Sequence, residues 1–177
     1  MYFHPTSLNG AYIVERKKNI DHRGSFSRLF CRNEFSDLGL NTEFPQLNIC
    51  ENKLAGTIRG LHSQSAPNEE IKFVSCLHGS IYDVVVDMRT GSPTYLQHFG
   101  VELSLDNGLG ILVPKGCYHG YQTLEDGATI VYCVSEPYAP GSEKGLAYND
   151  PLLQIAWPLP ISTISSKDSS WPHLSND

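Results

Sequence analysis

Ile58-Arg59-Gly60-Leu61-His62-Ser63-Gln64, followed by Ile71-Lys72-Phe73-Val74-Ser75-Cys76-Leu77, is the stretch whose reading decides the fold. Taken as two short strands, a period of two puts Gly60, His62 and Gln64 on one face of the first. It puts Lys72, Val74 and Cys76 on one face of its partner. With both faces inward, an imidazole and an ammonium ten residues apart meet in one pocket. That pair suits proton abstraction beside a carbonyl, where His62 takes the proton and Lys72 stabilises the enolate oxygen. The competing reading makes His62 a hydrogen-bonded core histidine and lets Lys72 snorkel to solvent.

Outward from this stretch, short apolar runs alternate with turn punctuation. Strands are expected at Ala11–Glu15, Ser25–Phe30, Gln46–Cys50, Gly56–Gln64, Ile71–Leu77, Ser80–Asp87, Phe99–Leu103, Gly110–Val113, Tyr118–Thr123 and Ala128–Ser135. Gly79, Gly91-Ser92-Pro93, Asp106-Asn107-Gly108, Lys115-Gly116 and Glu125-Asp126-Gly127 supply turns between them. One short helix is expected, Glu34–Leu38, with Asn33 as N-cap and Gly39 beyond its end. Many strands at close spacing with little helix predict an all-β jelly-roll barrel or sandwich. From Ala139 onward, Pro140, Pro151, Pro158, Pro160 and Pro172 break the chain into an extended, proline-rich C-terminal tail expected to wrap the barrel. Ser175-Asn176-Asp177 is expected to fray.

The 177 residues suit a single domain, 1–177, able to bury a core without staples. A hydrophobic fraction of 40% and a charged fraction of 18% are those of a globular protein. No run of 18 or more apolar residues and no signal-peptide pattern appear, so the expectation is a cytoplasmic protein with no membrane partner. Cys31, Cys50, Cys76, Cys117 and Cys133 form no C-x-x-C pair and read as free thiols of a reducing compartment, none of them catalytic. A net charge of −6 without a basic run argues against nucleic acid as a partner. An anionic small molecule is compatible, because a few focused Arg and Lys side chains hold a phosphate on an acidic protein.

Two spacings point to a superfamily. Gly108-x5-Pro114-x-Gly116-x2-His119 is close to the second motif of cupins, and Gly56-x5-His62-x-Gln64-x4-Glu69 has the shape of the first. Gln64 stands where a metal cupin carries a second histidine. An amide oxygen substitutes poorly for imidazole on Zn²⁺, Fe²⁺ or Mn²⁺. The pocket is read as metal-free and cofactor-free, converted to acid/base chemistry, with His62, His119 and Glu69 as the alternative metal set.

The chain as a whole resembles the dTDP-4-dehydrorhamnose 3,5-epimerase family. The resemblance rests on Asp21-x-Arg23-Gly24-x-Phe26, Gln46-x-Asn48, Arg59-Gly60-Leu61-His62-x-Gln64, Lys72, Gly79-x3-Asp83-Val84-Val85-Val86-Asp87, Pro114-x-Gly116-x2-His119-Gly120, Tyr132, Tyr138, Glu143, Asn149-Asp150-Pro151, Trp157-Pro158 and Ser166-Lys167-Asp168, in order along nearly the whole chain. It implies that His62 is the base, Asp168 its orienting carboxylate and Tyr132 the acid on the opposite face, with Lys72, assisted by His119, at the oxyanion. The chemistry is consistent: in a nucleotide-linked 4-keto-6-deoxy sugar, the C3 and C5 hydrogens flank the C4 carbonyl. A carboxylate on one imidazole nitrogen fixes the tautomer and leaves the other nitrogen basic.

The resemblance further implies that Arg23, Arg59 and Lys167 hold the diphosphate and its surroundings, that Gln46 and Asn48 bind the nucleotide, that Tyr138 stacks on its base, and that Glu143 binds substrate. It also implies a homodimer in which an N-terminal strand joins the partner's sheet. Taken alone, Tyr132 between Ile130 and Val134 reads as core, and Asp168 as a solvated tail residue. Three departures bear on specificity: Arg28 replaces an acidic residue, Glu70 a glutamine, and Ser63 a bulky side chain after the histidine. The implied activity is inversion at C3, C5 or both in dTDP-rhamnose or a related surface-polysaccharide sugar. A 3-epimerase, a 3,4-ketoisomerase and a non-catalytic sugar-nucleotide binder are the alternatives.

Overall fold

The computed structural model describes residues 1–174. Its strands run in chain order as β1 (Tyr2–Pro5), β2 (Tyr12–Glu15), β3 (Asn19–Asp21), β4 (Gly24–Phe26), β5 (Gln46–Glu51), β6 (Thr57–Gln64), β7 (Lys72–His78), β8 (Ser80–Asp87), β9 (His98–Ser104), β10 (Leu109–Val113), β11 (Cys117–Thr123), β12 (Thr129–Val134), β13 (Glu143–Gly145) and β14 (Thr163–Ile164). Two short helices join them, α1 (Arg32–Ser36) and α2 (Ser166–Ser169). One sheet has the order β1-β2-β10-β7-β12-β5 and the other β13-β6-β11-β8-β9, with β14 added parallel to β6. This is the expected jelly roll of two facing sheets.

One relationship differs from the sequence reading. Strands β6 and β7 are not ladder partners: they belong to opposite sheets and face each other across the interior. The inward alternation on each still holds, so His62 and Lys72 converge from two walls rather than along one. Gly79, at φ +66°, makes the turn that carries the chain from β7 in the first sheet to β8 in the second.

Between the sheets lies an apolar core that includes Val74, Cys76, Ile81, Val85, Leu103, Ile111 and Ile130. The outer face of the first sheet is covered by α1, whose Phe35 is fully buried against Phe3, Phe30, Phe44 and Phe73 in edge-on ring contacts. Burying that ring contributes about 2 kcal/mol. The helix starts two residues earlier than expected. Cys31, with no side-chain cap, occupies the N-cap position instead of Asn33.

The C-terminal segment covers the outer face of the second sheet, where Leu146, Leu153 and Trp157 pack on Leu61, Val84 and Val86. Buried Gln122 staples it: its amide donates to the Leu159 carbonyl (2.8 Å), and its oxygen accepts from the Leu159 N–H (2.9 Å). The tail is not uniformly extended. It contributes β13 and β14 to β6 and ends in the α2 turn. Ser175-Asn176-Asp177 lies outside the described residues.

Candidate active site

At the end of the barrel where β6 and β12 finish and β5 and β7 begin, a cavity of about 500 Å³ opens between the sheets. Close backbone contact shapes its floor. Strand β11 shifts register against β6 between His119 and Tyr121, and there Gly60 and Gly120 lie against each other. A Cβ on Gly60 would sit 2.6 Å from Gly120 Cα and 2.7 Å from the His119 carbonyl. Only glycine fits, and the irregularity aims His62 and His119, register partners, into the cavity.

His62 Nε2 lies 2.6 Å from Asp168 Oδ1. Asp168 comes from the far end of the chain on α2, where Ser165 Oγ accepts from the Asp168 N–H (3.0 Å) and caps the turn. Burial alone raises its carboxyl. The hydrogen bond and charge of His62 outweigh that, with the Gly60 N–H and Ser165 adding to them, and hold it below the ordinary carboxylate range. An ionised Asp168 accepts a hydrogen bond from Nε2–H and leaves Nδ1 as the basic nitrogen.

Lys72 does not snorkel. Its ammonium stays in the cavity, 2.8 Å from Glu70 Oε1, and donates to the His62 carbonyl at 3.4 Å. Tyr132 enters from β12, cross-strand from Val74 on β7 and Asn48 on β5. Burial, with the neighbouring Cys50 and Glu70 adding to it, raises its phenol, so Tyr132 stays protonated at neutral pH. Base, cation and acid thus share one cavity with walls from both sheets.

His119 Nε2 is paired with Asp83 Oδ2 at 2.8 Å. Asp83 is fully buried, and burial raises its carboxyl against the opposing pull of His119 and Lys72. The sequence reading gave Asp83 no role. Its signal was an ionisable residue directly before the apolar run Val84-Val85-Val86, where a buried carboxylate requires a partner. Asn52 was also missed: its side-chain oxygen accepts from Arg59 Nε at 2.9 Å and fixes the guanidinium at the cavity wall.

Toward the mouth, Gln46 donates to Asn48 Oδ1 (2.9 Å) and accepts from the Tyr138 N–H (3.1 Å). Glu143 and Lys167 form an ion pair across the rim. Arg23 is the one residue of the expected site that lies elsewhere. It sits on the β3–β4 hairpin paired with Asp21 (2.7 Å), outside the lining of its own cavity. Arg28 is likewise remote and binds Glu34 at 2.9 Å.

The donor set does not suit the metal of other cupins. Gln64 is committed to backbone: Oε1 accepts from the Ala139 N–H (2.7 Å), and Nε2 donates to the Asn68 carbonyl (3.0 Å). Both histidines have Nε2 on a carboxylate. Among the described residues, no group of three His, Cys, Asp or Glu side chains converges as a metal ligand set. No helix among the described residues is long and apolar enough to cross a membrane.

Fold and cavity together define a jelly-roll protein whose site is arranged for acid/base work at carbon. The family model described as dTDP-4-dehydrorhamnose 3,5-epimerase matches residues 5–176, and the chain belongs to that family. The dTDP-4-dehydrorhamnose 3,5-epimerase of Sinorhizobium fredii is 38% identical, covering 98% of this chain and 90% of its own. The crystal structure of dTDP-4-dehydrorhamnose 3,5-epimerase from Bacillus anthracis with TDP and PPi bound matches at TM-score 0.93 and 38% identity, covering 98% of this chain and 99% of its own. The 3'-monoepimerase ChmJ from Streptomyces bikiniensis, solved with dTDP-quinovose, matches at TM-score 0.90 and 33% identity, covering 96% and 86%.

Proposed function

We propose that the protein inverts C3 and C5 of a dTDP-linked 4-keto-6-deoxy hexose, without metal or cofactor, in the synthesis of dTDP-rhamnose or a related surface-polysaccharide sugar. The observation that carries this reading is the His62–Asp168 pair at 2.6 Å in the same cavity as Lys72 and Tyr132. His62 Nδ1 removes the proton beside the C4 carbonyl. Asp168 stabilises the imidazolium that results, and Lys72 holds the charge developing on the C4 oxygen, with His119 beside it. The neutral Tyr132 phenol returns a proton to the opposite face, and the configuration inverts. Arg59, Lys167, Gln46, Asn48, Tyr138 and Glu143 line the outer part of the cavity, where the nucleotide and its diphosphate bind.

The working unit in this reading is a homodimer of single-domain chains in the cytoplasm. Arg23 lies outside its own cavity on a hairpin that also exposes Ile20 (78%) and Phe26 (68%), and a second copy buries that apolar surface. Five unpaired thiols favour a reducing compartment.

Incubating the purified protein with 4-keto-6-deoxy sugars linked to dTDP, GDP, UDP and CDP in D₂O tests the proposal. The expected result is deuterium at C3 and C5 of the dTDP sugar with inverted product, unchanged by exhaustive chelation. Absence of solvent deuterium from every substrate would overturn it. Inversion at C3 alone would favour the second reading, which the similarity to a 3'-monoepimerase supports.

A further inference from the structure

The carboxylate that orients His62 stands on a four-residue helix, α2, too short to persist without external support. Three residues past Asp168, Trp171 supplies that support. Its indole lies flat on the bare backbone of Gly145, the β13 register partner of His62, and a methyl group at Gly145 would collide with the indole carbons Cδ2 and Cε2. Next along the chain, the Pro172 carbonyl accepts from the Ala147 N–H at 3.0 Å and ties the segment down beyond the turn. From this seat the indole meets the His62 ring edge-on, with centroids 6.1 Å apart, and carries Lys167 Nζ 5.9 Å from its ring centre.

We propose that Trp171 is the positioning residue of the His62–Asp168 pair, wedging the α2 turn against β13 while walling the imidazole. The inference rests on the proposed function for its kinetic consequence only. If the wedge is removed, the backbone that carries Asp168 is held by the Ser165 cap and by β14, and the 2.6 Å contact with His62 loosens. Misplacement of a catalytic group by an ångström costs rate rather than affinity. A loosened Asp168 also stabilises less well the imidazolium that forms when His62 takes a proton. The charged and titratable groups that share the cavity with that ring are Asp168 and Lys167 on α2, Arg59 on β6, Lys72 and its partner Glu70, His119 on β11, Tyr132 on β12, Glu136, and Glu143 on β13.

The test combines kinetics with emission. Trp171→Ala is expected to lower kcat by about tenfold or more, with KM changed less than threefold, and to move the acid limb of the kcat/KM profile to lower pH. Trp171→Phe is expected to restore most of the rate. The chain has two tryptophans, so in a Trp157→Phe background the remaining indole is Trp171. Its emission is expected to fall in one step as His62 gains a proton, and adding His62→Asn is expected to abolish that step. A kcat for Trp171→Ala within twofold of wild type, with an unmoved acid limb, would overturn the proposal. So would an emission profile indifferent to His62→Asn. The emission arm needs neither substrate nor an altered Trp171, so it decides the contact even if Trp171→Ala fails to fold or no nucleotide sugar is turned over.

Discussion

The cavity holds two imidazole–carboxylate pairs that are built in opposite ways. His119 and Asp83 sit on adjacent central strands, β11 and β8, and the pair is sealed: Asp83 is fully buried and its carboxyl is raised by burial. His62 and Asp168 are separated by most of the barrel in sequence, and their carboxylate arrives on a tail turn. His62 keeps 27% of its side chain exposed, and Asp168 is held below the ordinary carboxylate range. A base must exchange protons with substrate and solvent, so the open pair with the ionised partner suits proton transfer. The sealed pair suits fixed orientation. The same residue types, placed on different elements, thus take different tasks.

Mutating the histidines separates the pairs most strongly. His62→Asn is expected to lower turnover on the order of 10²- to 10⁴-fold, the range of a lost general base. His119→Asn is expected to cost roughly 10- to 10²-fold, because Lys72 still faces the developing oxyanion. Steady-state kinetics on both variants check the ranking, and equal losses would erase the distinction. Asp168→Asn, which keeps the turn but disturbs the tautomer, is expected to lower kcat by about 10²-fold and to lower the thermal midpoint only slightly at neutral pH.

The histidines and the lysine of this site were legible in the sequence, the contrast between their carboxylate partners was not, and the limits have physical causes. His62, Lys72 and His119 lie in strands marked by alternation and by Gly-Pro punctuation, so their inward faces follow from period two. That β6 and β7 face each other rather than pair cannot be read from alternation, which is the same in both arrangements. Asp168 became visible only through the family resemblance, since nothing local in Ser166-Lys167-Asp168 reports a histidine 106 residues away. Strands β13 and β14, of three and two residues, were missed because a distant partner, β6, defines them and local propensity does not. Strands β1 and β3, of four and three residues, were missed as short hairpin arms without an apolar alternation. Strand β5 inverts the usual pattern. Gln46, Asn48 and Cys50 face the cavity while Leu47 (64%) and Ile49 (63%) are exposed, since the cavity requires polar lining where a core would require apolar.

The smallest expected effect is on pH-dependent stability, and its sign differs between the pairs. The folded-state pKa of Asp168 is depressed, so its contribution is present above the ordinary carboxylate range and is lost as pH falls through the depressed value. That of Asp83 is raised, so its contribution is greatest in acid and is lost as pH rises through the raised value. Denaturant unfolding from neutral pH to about pH 3 should therefore show the wild-type advantage over Asp168→Asn shrinking on acidification. The advantage over Asp83→Asn should grow. Parallel trends would mean that the two carboxylates share one environment after all.

The central claim is that the open pair removes a proton from one face and Tyr132 returns it to the other. Tyr132→Phe keeps His62, Asp168 and the Lys72 ammonium but removes the acid. With a dTDP-4-keto-6-deoxy hexose in D₂O, exchange and inversion are both read by NMR on the same sample. The account predicts that solvent deuterium still enters at C3 with the configuration retained, while inverted product falls sharply. Undiminished inversion, or loss of exchange and inversion in equal measure, would contradict it.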